Sequence, residues 1–295
     1  MSILKNLGLK NLKRQLYNDA SILDLKTGSL IMNDVYADLK QQFYAQVPWP
    51  LKSAVLNEAI KAFFNFLDLP LDIKNHIDYS IAPLHRRGSI GYKRRESDEH
   101  IYNDNKDFFH YHPSIFERYP DFIKSQPVIE EFLNQAKPIW EQAYQTFYSI
   151  LSKFEADFPK LCDKVFNIKD VHMALRFLKY DWQNSGHYLA KPHFDAGSFT
   201  LAIAESTPGL RIGSKPDDLK LVSHSDEHAI FMLSSNFKKV IATEELHAGW
   251  HDVIQLDKSL IGQPFARWAV VAFLEVANVE AQPRSMTHKF YQGVL

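Results

Sequence analysis

The hydrophobic pattern of this chain changes near Val171, and that change limits the folds the chain can adopt. Before it, residues 54–69 and 126–158 carry apolar side chains at the three-and-four spacing of amphipathic helices. After it, short runs of β-branched and aromatic residues alternate with turn residues. Helices followed by many short strands predict an α+β fold. The architecture we expect is a double-stranded β-helix, a cupin-like jelly roll, buttressed by the N-terminal and central helices.

Prolines and glycines set the expected limits of these elements. Pro70 should end the first helix, and Pro138 should kink or interrupt the second. We expect a short strand near residues 29–32. Residues 82–113 contain two glycines among polar and aromatic side chains, which predicts a loop and an edge strand.

His193 and Asp195 are the first candidate metal ligands. In an extended strand, residues two apart point to the same face, so these two side chains should lie side by side with Phe194 opposite. One imidazole and one carboxylate are two of the three ligands of the 2-His-1-carboxylate triad that binds non-haem Fe(II). The third ligand must be a distant histidine. The downstream candidates are His224, His228, His247 and His251.

Arg267 opens an apolar, β-branched and aromatic run that predicts a buried strand. A buried charge without a partner is costly, so the guanidinium either binds an anion or extends its head into water. In the first case its planar fork suits a ligand carboxylate.

Residues 192–201, followed by Gly209-Leu210, resemble the iron-binding segment of the isopenicillin N synthase-like oxygenases. That family has His-x-Asp, then a distant His opening a strand, then Arg-x-Ser on the next strand. Here His251 lies 56 residues after Asp195 and Arg267 lies 16 after His251. His251 fits this pattern better than His247 does.

The resemblance extends over roughly residues 50–295 in separated blocks that keep the family's order. Residues 175–180 resemble the strand before the iron segment, where a tyrosine of some members, here Tyr180, contacts 2-oxoglutarate. Residues 63–74, 88–92 and 106–109 are similar to earlier family segments.

The resemblance implies an Fe(II)- and 2-oxoglutarate-dependent dioxygenase. His193, Asp195 and His251 would bind the iron, and Arg267 and Tyr180 would bind 2-oxoglutarate. With O2, the enzyme would hydroxylate, desaturate or cyclise a small organic molecule and release succinate and CO2. No catalytic side chain is implied beyond the metal ligands.

The resemblance also places a substrate near Tyr92, Phe109 and Arg211, at the mouth of the jelly roll. The alternative for the two aromatic residues is burial in the core.

The chain departs from the family at Ala269, which stands where Arg-x-Ser has its serine. A hydroxyl from Tyr180 or Thr200 is a possible substitute. This departure leaves open an oxidase of the same fold that does not use 2-oxoglutarate. A rival of another class is a non-catalytic jelly-roll protein that binds a small ligand.

Composition bounds the remaining expectations. The formal net charge of −1 gives no reason to expect a nucleic-acid partner, and the single cysteine, Cys162, excludes an intrachain disulfide. Residues 1–14 lack the apolar stretch of a secretory signal, and no run of 18 apolar residues indicates a membrane span.

We expect a cytoplasmic monomer or weak homo-oligomer. Residues 1–160 should form a mostly helical region packed on a jelly-roll core, residues 161–295, as one compact catalytic unit.

Overall fold

Two antiparallel β-sheets enclose the apolar interior in the computed structural model. The structure describes residues 34–81, 89–96, 105–167, 171–181, 188–260 and 262–276. The strand expected near residues 29–32 lies outside these ranges.

Twelve strands are found in the described ranges. They are β1 Tyr44–Pro48, β2 Asp78–Ser80, β3 Ser89–Arg95, β4 Lys106–Tyr111, β5 Met173–Tyr180, β6 Tyr188–His193, β7 Phe199–Glu205, β8 Leu210–Gly213, β9 Leu219–Leu221, β10 His228–Leu233, β11 Trp250–Ile254 and β12 Arg267–Leu274. The larger sheet has the order β1-β10-β7-β12-β5-β4-β3-β2, and the smaller one β6-β11-β8-β9. Apolar residues of both sheets, among them Leu178, Leu210 and Val253, form one buried cluster.

Seven α-helices accompany the sheets in the described ranges. They are α1 Val35–Gln42, α2 Ser53–Leu67, α3 Leu71–Lys74, α4 Ile115–Arg118, α5 Pro120–Ser125, α6 Pro127–Phe154 and α7 Leu161–Phe166. Short 3-10 turns occupy Phe237–Lys239 and Lys258–Leu260. No helix in this part of the chain combines the length and apolar character needed to cross a bilayer.

Helices α2 and α6 pack on the outer face of the larger sheet through aromatic rings. Phe63 of α2 and Phe132 of α6 lie 5.7 and 5.2 Å, centroid to centroid, from Phe177 of β5. Phe177 points outward because its strand neighbours Arg176 and Leu178 point inward, as the alternation of a strand requires. The expected α+β jelly roll buttressed by helices is therefore confirmed.

Two sequence expectations are corrected. Helix α6 continues through Pro138, so the expected interruption is wrong, while a kink at this residue stays a prediction. Residues buried on both sides of the proline, Leu133, Ala136 and Ile139, offset the hydrogen bond that it removes. Strands β3 and β4 are both interior strands, so the edge strand expected within 82–113 is wrong. Strand β2 covers β3, and β5 covers β4.

Four strands of the larger sheet, β1 to β4, come from residues before 160, where the sequence pattern indicated mainly helices. A short strand shows only a few alternations of apolar and polar residues. Such a strand is therefore hard to recognise in a segment whose pattern is mainly helical. Strand β4 matters for the site because it lies next to β5 and contributes side chains to the interior.

Gly91 allows β2 and β3 to pair. Its φ is +115°, and a Cβ at this position would lie 1.9 Å from the Ile77 carbonyl oxygen. We predict that Gly91→Ala lowers the free energy of unfolding by more than about 3 kcal/mol, because it combines backbone strain with a clash.

Gly262→Ala is the matched control. Gly262 also has positive φ, +79°, but no atom of the described residues lies within 4 Å of the place that an alanine methyl would take. This substitution should cost only about 1–2 kcal/mol from the left-handed backbone. Urea denaturation measures both, and equal losses would contradict the role assigned to the Ile77 contact.

Candidate metal centre and ligand cavity

The antiparallel pairing of β6 with β11 places His193 directly opposite His251. Their rings lie 4.3 Å apart, centroid to centroid. The two histidines are distant in sequence, and only this strand register brings them together.

Asp195 completes the cluster from the loop after β6. Its two carboxylate oxygens lie 3.8 Å from His193 Nε2 and 3.4 Å from His251 Nε2. Strand β6 ends at His193, so Asp195 lies in the loop that follows, with its side chain on the same side as that of His193. Phe194 points away and packs against Trp250, with ring centroids 4.2 Å apart.

Backbone carbonyls fix the tautomer of both histidines. His193 Nδ1 lies 2.7 Å from the Lys191 oxygen, and His251 Nδ1 lies 3.1 Å from the Gly249 oxygen. A carbonyl oxygen only accepts, so each Nδ1 carries a hydrogen, and each Nε2 faces Asp195. Burial, with His251 nearby, lowers the pKa of His193 to about 3, so its imidazole is neutral at physiological pH.

Neighbouring residues fix the carboxylate. The Thr200 hydroxyl donates to Asp195 Oδ2 at 2.9 Å, and the Ser235 amide donates to the Asp195 carbonyl at 3.0 Å. Such contacts orient metal ligands in proteins.

This donor set fits a divalent transition metal. One ligand atom from each of His193, Asp195 and His251 lies within 4.8 Å of the other two. Two imidazoles and one carboxylate on one side of a centre are the facial triad of non-haem Fe(II).

The other candidate histidines are not part of this group. His247 is exposed in the segment before β11, and His228 opens β10 with its Nδ1 3.1 Å from the Ser225 hydroxyl. His224 is half-buried in the preceding loop. Among the described residues, the potential metal-binding group contains His193, Asp195 and His251.

Arg267 lies in the wall of the same cavity as the three residues, on the opposite sheet. It is 2% exposed, and its Nη2 contacts Glu205 at the end of β7. Its Nε and Nη1 are buried without a hydrogen-bond partner among the described residues. Burial lowers the pKa of Arg267 to about 10, so the guanidinium stays charged at neutral pH.

Tyr180 lies beside Arg267 because the two residues pair across β5 and β12. Lys106 of β4 pairs with Tyr180 on its other side, and its Nζ lies 5.1 Å from the centre of the Tyr180 ring. Lys106, Tyr180 and Arg267 therefore form a row across three strands, and all three line the cavity.

Two orphaned N–H groups and a buried positive charge fit an anionic ligand such as the distal carboxylate of 2-oxoglutarate. The cavity also brings Ala269 to its wall, and Thr200 lines it near Asp195.

The three residues expected at the mouth of the cavity have contacts of their own in the structure. Tyr92 is buried and donates to Asp107 at 2.5 Å, and Phe109 packs 5.2 Å from Phe132 in the aromatic core. Arg211 makes two hydrogen bonds, of 2.9 and 2.5 Å, to the buried Asp252. None of the three is in the described wall of the cavity, so their place near a substrate stays a prediction.

Sequence reasoning missed Glu205, Lys106 and Arg176 in the cavity wall. A signal existed for Glu205, because a carboxylate ending an otherwise apolar strand needs a buried cation, just as Arg267 needs an anion. Lys106 became a site residue only through the pairing of β4 with β5, which the sequence pattern did not reveal. Arg176 lies on β5 four residues before Tyr180, so strand alternation alone could have placed both on the inner face.

Solved structures share this fold. A full-length Neurospora crassa protein in complex with alpha-KG and 5-formyluracil has a TM-score of 0.62 at 15% identity, covering 84% of this chain and 80% of the Neurospora chain. JOX2 in complex with 2OG, Fe and JA has a TM-score of 0.61 at 17% identity, covering 88% of this chain and 75% of JOX2.

A third similar structure is Arabidopsis thaliana DAO1, a dioxygenase for auxin oxidation, as its 2-oxoglutarate binary complex. Its TM-score is 0.58 at 14% identity, covering 89% of this chain and 95% of DAO1. No protein-family model and no curated protein sequence matches the chain. The resemblance to the isopenicillin N synthase-like oxygenases is thus confirmed at the level of the fold.

Loss of a residue that only orients a metal ligand typically weakens metal binding roughly 10–100-fold. We predict that His251→Ala weakens Fe(II) binding by more than this, because it removes a ligand itself. His193→Ala should do the same, because each removes one of three donors. His247→Ala is the matched control and should leave iron affinity unchanged. Anaerobic Fe(II) titration measures this, and loss of iron from His247→Ala with retention in His251→Ala would overturn the ligand assignment.

Proposed function

We propose that this protein is a non-haem Fe(II)- and 2-oxoglutarate-dependent dioxygenase that oxidises a small organic molecule. One observation carries the proposal: a two-histidine, one-carboxylate cluster shares a cavity with a buried arginine that has two N–H groups unused among the described residues. A metal chelator with a distal carboxylate satisfies both features.

His193, Asp195 and His251 would hold the iron on one side and leave its other positions facing the cavity. Arg267 would bind the distal carboxylate of 2-oxoglutarate, with Tyr180 beside it. Iron and 2-oxoglutarate, when bound, would supply the oxidising chemistry, with release of succinate and CO2. The apolar side chains between the sheets, among them Leu210 and Val253, would exclude water from the centre.

The substrate class is supported by the solved structures that share the fold. The Neurospora crassa protein was crystallised with thymine and with 5-formyluracil, and JOX2 with JA. These are small organic molecules, and the cavity of this chain has a mixed polar and apolar wall suited to such a ligand. Hydroxylation, desaturation and ring closure all remain within the proposal.

The proposal includes the expected setting of the enzyme. We infer a cytoplasmic monomer or weak homo-oligomer without a nucleic-acid partner, in line with one cysteine and a formal net charge of −1. Residues 1–160 and 161–295 would work as one catalytic unit, which is supported by the strands that both parts contribute to the larger sheet.

Turnover tests the function directly. Protein loaded anaerobically with Fe(II) should consume O2 and release succinate from 2-oxoglutarate when mixed with the right member of a panel of small organic acids and pyrimidines. His193→Ala is the control and should release none. Oxygen consumption without succinate would indicate an oxidase that does not use 2-oxoglutarate, and iron binding without oxygen consumption would indicate a ligand-binding protein.

We predict that Arg267→Ala raises the dissociation constant of 2-oxoglutarate at least tenfold without releasing iron, since a buried charge-assisted contact contributes about 2–5 kcal/mol. Arg267→Lys should recover only part of this affinity, because an ammonium cannot reproduce the planar fork. Anaerobic titration of the Fe(II)–2-oxoglutarate absorption band measures both.

Arg211→Ala is the control, since it removes a guanidinium outside the described cavity wall. Unchanged affinity in Arg267→Ala would show that the cosubstrate carboxylate binds elsewhere.

A further inference from the structure

The contact between Glu205 and Arg267 puts an internal carboxylate at the proposed anchor for the cosubstrate. Glu205 ends β7, Arg267 opens β12, and these strands are neighbours in the larger sheet. Both side chains are buried, with 8% and 2% of their surfaces exposed, and both line the cavity. The carboxylate contacts Nη2 of the guanidinium and leaves Nε and Nη1 without partners among the described residues.

The unpaired edge of the guanidinium is buried beside the backbone of Gly209. Gly209 lies beside it, and a Cβ at that position would be only 3.1 Å from Nη1. No side chain of residue 209 therefore covers Nη1. Glu205 thus occupies one part of the fork and fixes its orientation, and Nε and Nη1 are the positions left for a second carboxylate.

A ligand carboxylate bound there would contact the same guanidinium group as the Glu205 carboxylate, so the two carboxylates would lie close together. Two like charges at this separation repel strongly where the surroundings are buried, because little water screens them. The positive charge of Arg267 is also already balanced by Glu205. Lys106 and Arg176 add positive charge elsewhere in the cavity wall, so the repulsion should weaken anion binding without abolishing it.

We propose that Glu205 is a specificity-determining residue of the cosubstrate subsite. It weakens binding of the distal carboxylate and so reduces the preference for 2-oxoglutarate over a 2-oxo acid that lacks this group. The inference rests on the proposed function and deepens it.

The test compares two ligands on two forms of the protein. 2-Oxopentanoate has the five-carbon chain of 2-oxoglutarate without the distal carboxylate. Dissociation constants of both acids are measured anaerobically on Fe(II)-loaded protein, by calorimetry. Glu205→Gln keeps the size of the side chain and an oxygen that accepts from Arg267 but removes the negative charge. It should bind 2-oxoglutarate at least tenfold more tightly, with the affinity for 2-oxopentanoate unchanged.

Asp252→Asn is the matched control, because it removes a buried carboxylate from a different arginine, Arg211, outside the described cavity wall. It should leave both affinities unchanged. Thermal melting checks that each variant is folded. If the Gln variant does not fold, Glu205→Asp retracts the carboxylate by one methylene and should give a smaller gain, again for 2-oxoglutarate alone.

The possible results separate the two proposals. Equal or weaker 2-oxoglutarate binding by the Gln variant, with binding by the natural chain intact, would overturn the role of Glu205 and leave the proposed function standing. An equal gain for both acids would also overturn it, because the effect would not involve the distal carboxylate. Binding by the variant alone would support the role of Glu205 and refute 2-oxoglutarate as the cosubstrate of the natural chain. Binding by neither would overturn both.

Discussion

The pairing of β6 with β11 is the contact on which the candidate metal centre depends. It aligns His193 with His251 across the smaller sheet, and Asp195, in the loop after β6, lies at the same point. A slip of one residue would turn one histidine to the opposite face of the sheet and leave a single imidazole at the centre. The register is held by burial on the inner face, where Ala190 lies opposite Val253.

The larger sheet holds the remaining ligand in place. The loop carrying Asp195 is fixed by backbone hydrogen bonds from Ser235 and Asn236, which follow β10. Behind it, the buried Glu275 accepts from Ser198 and from Asn236, the latter at 3.1 Å. Both sheets therefore contribute to one centre, and a change that separates them should disturb the carboxylate before it disturbs the two histidines.

Charge in the cavity is the second constraint. Arg267 is held between buried strands, where a guanidinium without an anion is costly. Glu205 supplies part of the compensation within the chain, and the two N–H groups unused among the described residues leave the rest to a ligand. Glu205 therefore stabilises the buried guanidinium before a ligand binds, and the remaining nitrogens can still recognise an anion. Glu205 also competes for Arg267 with the ligand carboxylate that the arginine would bind.

The fold and most of the proposed centre were predictable from local patterns. Alternation, helical periodicity and the His-x-Asp spacing act over a few residues, so they predicted the helices, the jelly-roll strands and His193 with Asp195. Resemblance to a known family selected His251 and Arg267. The same reasoning could not decide whether Tyr92, Phe109 and Arg211 face a substrate, because an aromatic or cationic side chain looks alike in sequence whether it faces a cavity or the core.

The sequence by itself thus determined the types of element and the identity of the candidate ligands. The tertiary structure alone decided which residues share the cavity. Lys106 and Glu205 reach Tyr180 and Arg267 only because β4 and β7 lie next to β5 and β12, and neighbours in a sheet are chosen by long-range pairing. Long-range pairing depends on how two faces pack together, a property that no short stretch of sequence contains.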